Sequence, residues 1–185
     1  MTGSVALGWG RTLPERVVTN DELAALLDTS PAAIRTETGI DERYWVEPGT
    51  CPSDLAARAA ESALAAAGLG SEDVDLIVFA TMTPDVAFPG SGCFLQDKLG
   101  CRTVGALDLR AQCAGFVYAL ATADRFVRAG KARHVLVAAG EVHSTALECR
   151  PRARGVTPRF GDGAGVTVIG PLNPSRRNAS RFTAK

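Results

Sequence analysis

In DLRAQCAGFVYAL, residues 108–120, one thiol stands where a short apolar segment gives way to a run of helix-forming residues. TVGALDL, residues 103–109, reads as a strand, and a helix is expected from Cys113 to its stop at Gly130. The strand should deliver the chain to the carboxyl edge of a sheet, where open α/β folds usually bind ligands. A thiol at a helix start faces unpaired N–H groups and the positive end of the helix dipole, which favour the thiolate, its nucleophilic form. Ala114 and Gly115 beside it are small, so an acyl group and its carbonyl oxygen could reach backbone N–H groups able to stabilise an oxyanion. Free cysteine is also among the most buried residue types, so a packed core thiol fits the same stretch. Position alone leaves both readings open.

The other cysteines, Cys51, Cys93, Cys101 and Cys149, bring the count to an odd five, widely spaced and without a CxxC pair. Neither a disulfide framework nor a zinc site is expected, and no metal or cofactor is inferred. FGDGAG, residues 160–165, precedes a strand instead of opening a helix and lacks the full GxGxxG context, so it reads as a tight turn and not as a nucleotide loop. Twenty basic and twenty acidic residues cancel, which argues against nucleic acid or an anionic membrane as the main partner and leaves small substrates or proteins. No apolar run approaches the roughly 18 residues of a bilayer span. The start, MTGSVALGWGRTLPE, lacks a secretory pattern, and a cytoplasmic protein is expected.

The elements that must position Cys113 alternate along the chain. A strand over residues 5–10 is followed by a helix capped by Asn20, then by a short helix with Ser30 as cap, Pro31 in the first turn and Gly39 as stop. PSDLAARAAESALAAA, residues 52–67, is a strong helix ending at Gly68. The apolar runs at residues 75–81 and 134–140 read as strands covered on both faces, with helices over residues 90–99 and 113–129 between strands and a last strand GVTVIG. Such βαβαβ alternation implies a layered α/β fold with right-handed crossovers. PLNPSRRNASRFTAK, residues 171–185, has four basic residues, no acidic ones and no usable apolar period, so residues 1–170 are taken as one domain and 171–185 as a disordered basic tail.

DLRAQCAGFVYAL resembles the nucleophile segment of the β-ketoacyl-acyl-carrier-protein synthase III family of the thiolase superfamily. LPERVVTNDEL, DTSPAAIRTETGIDER, LIVFATMTPDVAFPGSGCFLQDKLG and RFGDGAGVTVIG resemble that family in the same order, so the similarity covers residues 5–170. The resemblance implies a thiolase-like layered fold of which this chain supplies the N-terminal half, a mixed, mostly parallel sheet with helices on its faces. It implies an acyltransferase in which Cys113 takes an acyl group from a thioester and passes it to malonyl-acyl-carrier protein, in fatty acid or polyketide biosynthesis. It further implies acyl-carrier protein as partner, and a homodimer or a partner chain that supplies the second half. Phe88, in AFPGSG, would line an acyl pocket across the dimer interface, with simple core packing as the alternative.

The chain also departs from the family pattern. The histidine and asparagine that support decarboxylation belong to the second half, and His134 and His143 read as ordinary edge residues. Ala33 stands where coenzyme-A-using relatives carry a tryptophan and Glu37 where they carry a basic residue; alanine cannot stack on adenine and a carboxylate repels phosphate. Both substitutions weaken a coenzyme A reading and leave a carrier-protein-bound acyl donor open, so the substrate is an acyl-coenzyme A or acyl-carrier-protein thioester. Arg152 and Arg154, in an expected loop, could contact a phosphopantetheine phosphate or an acidic carrier face, or could simply form a solvated basic loop. Two other functions stay open: a truncated, non-catalytic half-subunit, and a related acyltransferase acting on a hydroxyl or amine.

Overall fold

LIVFA, a five-residue apolar run, forms strand β4 (Leu76–Ala80), and each of its side chains is buried because helices cover both faces. A computed structural model describes residues 3–172 and sets β4 in a five-stranded sheet. The other strands are β1 (Ser4–Thr12), β5 (Gly105–Leu109), β6 (Val135–Glu141) and β7 (Gly163–Pro171), in the order β1-β7-β6-β4-β5. β4 pairs in parallel with β5 and β6, whereas β7 is antiparallel to both β6 and β1. Four strands thus run one way and β7 alone is reversed, giving the mixed, mostly parallel sheet expected.

Alternation along the central strands divides the core. Ile77, Phe79, Leu136, Ala138, Val166 and Val168 face helix α3 (Pro52–Ala67) and Leu95 of helix α4 (Ser91–Lys98). Leu76, Val78, Val135 and Val137 face Ala119, Leu120, Ala123 and Val127 of helix α5 (Gly115–Arg128). The small residues Ala56, Ala59, Ala60 and Ala63 line the buried stripe of α3 and let that helix sit close to β1. α3 ends at Gly68, and helix α2 (Pro31–Thr38) at Gly39, both in the left-handed conformation that glycine adopts without strain.

Beside the sheet, strands β2 (Arg16–Thr19) and β3 (Glu42–Trp45) form an antiparallel pair that periodicity does not reveal. With helix α1 (Asn20–Leu27) and α2 they enclose Val18, Leu23, Leu27, Ile34 and Trp45. The cap of α1 is Thr19, whose hydroxyl accepts from Glu22 N–H, and not Asn20. Asn20 is spent elsewhere: its amide donates to Ile40 O and accepts from buried Arg43. Arg43 also donates to Val18 O and Pro158 O, tying the strand pair to the segment before β7.

β7 runs through Pro171, one residue into the segment read as a tail; residues 173–185 of that segment lie outside the described residues. Among the described residues, no helix is long and apolar enough to cross a membrane.

Candidate active site

β5 ends at Leu109, whose carbonyl accepts from Thr81 N–H at 3.1 Å, so the strand end is pinned just beyond β4. The chain then turns through Gln112 in the left-handed region, with φ of +46°, a conformation that is uncommon and strained for a residue with a Cβ. Gln112–Ala114 make a single 3-10 turn, and α5 starts at Gly115. Cys113 therefore sits at the centre of an elbow between strand and helix, two residues ahead of the α-helix and not on its first residue. Its side chain is exposed, which removes the packed-thiol alternative.

Gly115 is what brings the helix in so close. A Cβ there would lie 3.1 Å from Ala80 Cβ at the end of β4. The first turn of α5 has no side-chain cap and no acidic residue, while Arg125 and Arg128 lie in its last turn. The positive end of the helix is thus left uncompensated beside the thiol. The backbone donors differ from those expected: Ala114 N–H is taken by Ala111 O and Gly115 N–H by Gln112 O.

Phe88 is 85% exposed, so it is not a core residue. It projects from the connection between β4 and α4, whose flanks are tied down. Glu141 accepts from Met82 N–H at 2.8 Å and from Thr83 Oγ1 at 2.7 Å. Asp85 accepts from the buried Ser53 hydroxyl, which Lys98 Nζ also reaches at 2.7 Å. Asp108 accepts from Ser91 and Gly92 N–H at 2.6 and 2.9 Å. Burial works against ionisation of Asp54 next to this cluster, but Lys98 and Cys51 N–H outweigh it and hold its carboxyl below the usual range.

Arg152 and Arg154 lie in and just after a 3-10 turn, Pro151–Ala153, and both are exposed. Arg152 is occupied by Glu148: Nε sits 2.8 Å from each carboxylate oxygen. This pairing raises the guanidinium pKa and lowers that of Glu148. The turn rests against α1, and the following one, Thr157–Arg159, against α2, which carries Ala33 and exposed Glu37. The residues read as donor recognition thus share one flank of the molecule.

Sequence reasoning missed the carboxylates that hold these segments. Asp162, the acid in FGDGAG, is buried and accepts from Val46 N–H at 2.8 Å and Ser144 N–H at 2.9 Å. The motif is a tight junction as expected, with its acid doing the joining. The only signal was a lone acid between glycines. His143 stacks at a tilt on Phe160, with centroids 4.8 Å apart, and His134 Nδ1 lies 3.1 Å from Asp73 O. Both fit the edge roles assigned to them. Among the described residues, no three His, Cys, Asp or Glu side chains converge as a metal ligand set.

Between the first turn of α5 and strands β1, β6 and β7 lies an open apolar groove of about 490 Å³, lined by Trp9, Phe116, Ala139 and Val166 among others. The Trp9 and Phe116 rings stand 6.4 Å apart, and Val117 and Tyr118 continue the exposed apolar surface.

Residues 107–184 match the family of 3-oxoacyl-[acyl-carrier-protein] synthase III. The β-ketoacyl-[acyl-carrier-protein] synthase III of Bordetella petrii is 50% identical over 174 residues, 91% of this chain and 52% of that protein. The crystal structure of 3-oxoacyl-[acyl-carrier-protein] synthase III from Aquifex aeolicus superposes with a TM-score of 0.86 at 42% identity, covering 91% of this chain and 54% of that one. The priming β-ketosynthase of the R1128 polyketide pathway gives a TM-score of 0.88 at 37% identity, over 92% of this chain and 51% of the other. The chain spans about half the length of the curated relatives it matches. By sequence and by thiolase-like fold, the chain is similar to β-ketoacyl-acyl-carrier-protein synthase III proteins over about half of their length.

Proposed function

We propose that residues 1–170 form the nucleophile-bearing domain of a β-ketoacyl-acyl-carrier-protein synthase III, with Cys113 as the acyl acceptor. The observation that carries this reading is the exposed thiol on a strained elbow at the uncapped start of α5. The Cys113 thiolate attacks the thioester carbonyl; the tetrahedral intermediate collapses, the carrier thiolate leaves, and an acyl-cysteine remains. With Ala114 and Gly115 N–H engaged by the turn, the Cys113 N–H is the nearest backbone donor left for the oxyanion. In the second step malonyl-acyl-carrier protein loses carbon dioxide, its carbanion attacks the acyl carbonyl, and the thiolate is released. This step belongs to fatty acid or polyketide initiation. Its polar assistance is assigned to the second half of the family fold.

The donor of choice is an acyl-carrier-protein thioester, because α2 offers Ala33 and Glu37 in place of a stacking ring and a cation. Arg154 and the Glu148-paired Arg152 form the rim that meets the carrier or its phosphopantetheine phosphate. A homodimer fits the sheet edge: among the described residues β5 pairs only with β4, Leu107 is exposed on it, and Phe88 stands out beside it as the wall of the partner's acyl site. Free thiols throughout suit a reducing, cytoplasmic setting.

The apolar groove at Trp9 and Phe116 favours a second reading, a half-subunit that binds a partner chain there without turning over. Intact-mass spectrometry after incubation with acyl-coenzyme A and, separately, acyl-carrier protein separates the two. A Cys113-dependent acyl adduct, absent from Cys113→Ala and stronger with the carrier protein, is the expected result. A folded chain that gains no adduct from either donor overturns acyl transfer and leaves the half-subunit.

A further inference from the structure

The connection from β4 to α4 is fastened at both ends and in its middle, yet its tip carries the most exposed large apolar side chain among the described residues, Phe88. An ordered loop that displays an aromatic ring has already lost the conformational entropy that docking would otherwise cost. The fastenings come from outside the loop. Glu141, at the end of β6, holds Met82 N–H and Thr83 Oγ1, and Val142 N–H donates back to Thr83 Oγ1 at 2.8 Å. Asp108 holds Ser91 and Gly92 N–H and serves as the cap that α4 lacks, since its own N-cap is Gly90. Backbone and carboxylate lie flush: a Cβ on Gly90 would meet Asp108 Cγ at 2.4 Å, and one on Gly92 would meet Oδ1 at 3.0 Å. Asp108 stands on β5, five residues before Cys113, so one strand sets both the elbow and the far end of the Phe88 connection.

The geometry points to Asp108 and Glu141 as positioning residues that fix Phe88 by holding the two ends of its connection. This rests on the reading of Phe88 as part of an acyl-binding wall. Neither carboxylate touches the reacting atoms; each acts through the loop.

Asp108→Asn and Glu141→Gln, made in the full chain, release opposite ends of the connection, with Phe88→Ala as the reference. Hydrogen exchange is read on residues 81–92, and adduct formation at Cys113 is read with acetyl, butanoyl and octanoyl thioesters. Loss of a charge-assisted bond should speed exchange at the released end by about tenfold or more, at Ser91 and Gly92 for Asp108→Asn and at Met82 for Glu141→Gln. Both variants and Phe88→Ala should each raise the octanoyl-to-acetyl adduct ratio, and adding Phe88→Ala to either should raise it no further. If Asp108→Asn does not fold, Glu141→Gln alone decides. Unchanged exchange in residues 81–92 overturns the clamp. Faster exchange with wild-type adduct ratios, while Phe88→Ala shifts them, overturns positioning and leaves acyl transfer standing. No Cys113 adduct in the wild-type chain overturns acyl transfer, and the positioning role with it.

Discussion

Asp162→Ala gives the sharpest test of how the site is held, because the buried carboxylate joins two connections far apart in the chain. The side chain accepts from Val46 N–H at 2.8 Å and from Ser144 N–H at 2.9 Å, while Asp162 N–H donates to Tyr44 O at 2.7 Å. Truncation leaves both donors without a partner in a place where the residue is only 4% exposed. An unsatisfied buried donor costs about 1–3 kcal/mol, so the pair amounts to about 3–5 kcal/mol after partial rehydration. Asp162→Asn keeps one carbonyl acceptor and turns an NH2 toward the other N–H, which should cost about half as much. A domain of this size is stable by about 5–15 kcal/mol, so the alanine variant loses about a fifth or more of the total. Urea unfolding followed by circular dichroism measures the difference, with the m-value as a check that the same surface is exposed. A loss below about 1 kcal/mol at unchanged m, or an asparagine variant as unstable as the alanine one, refutes the two-donor account.

Burial pushes the thiols of Cys51, Cys101 and Cys149 up, aided at Cys51 by Asp85 and Asp54, whereas Cys113 and Cys93 are exposed. Iodoacetamide near neutral pH, read by peptide mapping, should label Cys113 and Cys93 first, and the other three should catch up only as alkali ionises them; early labelling of Cys101 contradicts this. Burial also opposes ionisation of Asp75, but the N–H groups of His134 and Arg133 and the Arg102 guanidinium outweigh it and hold its carboxyl below the usual range. With the folded pKa depressed, the contribution is present above the unfolded value of about 3.9 and disappears as pH falls through the folded one. Asp75→Asn should therefore lower the melting temperature at neutral pH and by progressively less below about pH 4; an equal drop at all pH values speaks against an ionic contribution.

What the sequence discloses is what neighbouring residues decide. The runs that become β4 and β6 need cover on both faces wherever they sit, and Ser30, Pro31 and Gly39 mark α2 through contacts within the helix itself. β2 and β3 escape that logic because four residues each give no period, and their pairing depends on Arg43, which reaches from β3 to Val18 O and to Pro158 O. α5 starts two residues after Cys113, and not at it, for a related reason. Composition marks the helix, but the 3-10 turn at Cys113 is imposed by the pinning of Leu109 to Thr81 and by the approach of Gly115 to Ala80. Asp108, Glu141 and Asp162 bind partners 16 to 116 residues away, and no local pattern separates them from solvated acids. Cys113 stands out by its type and place, whereas the geometry that exposes it at the elbow is non-local. It follows that substitutions at these three acids, none of which the motifs single out, should disturb the site more than changes at Arg152, which the sequence nominates and which the structure shows paired with Glu148 on the surface.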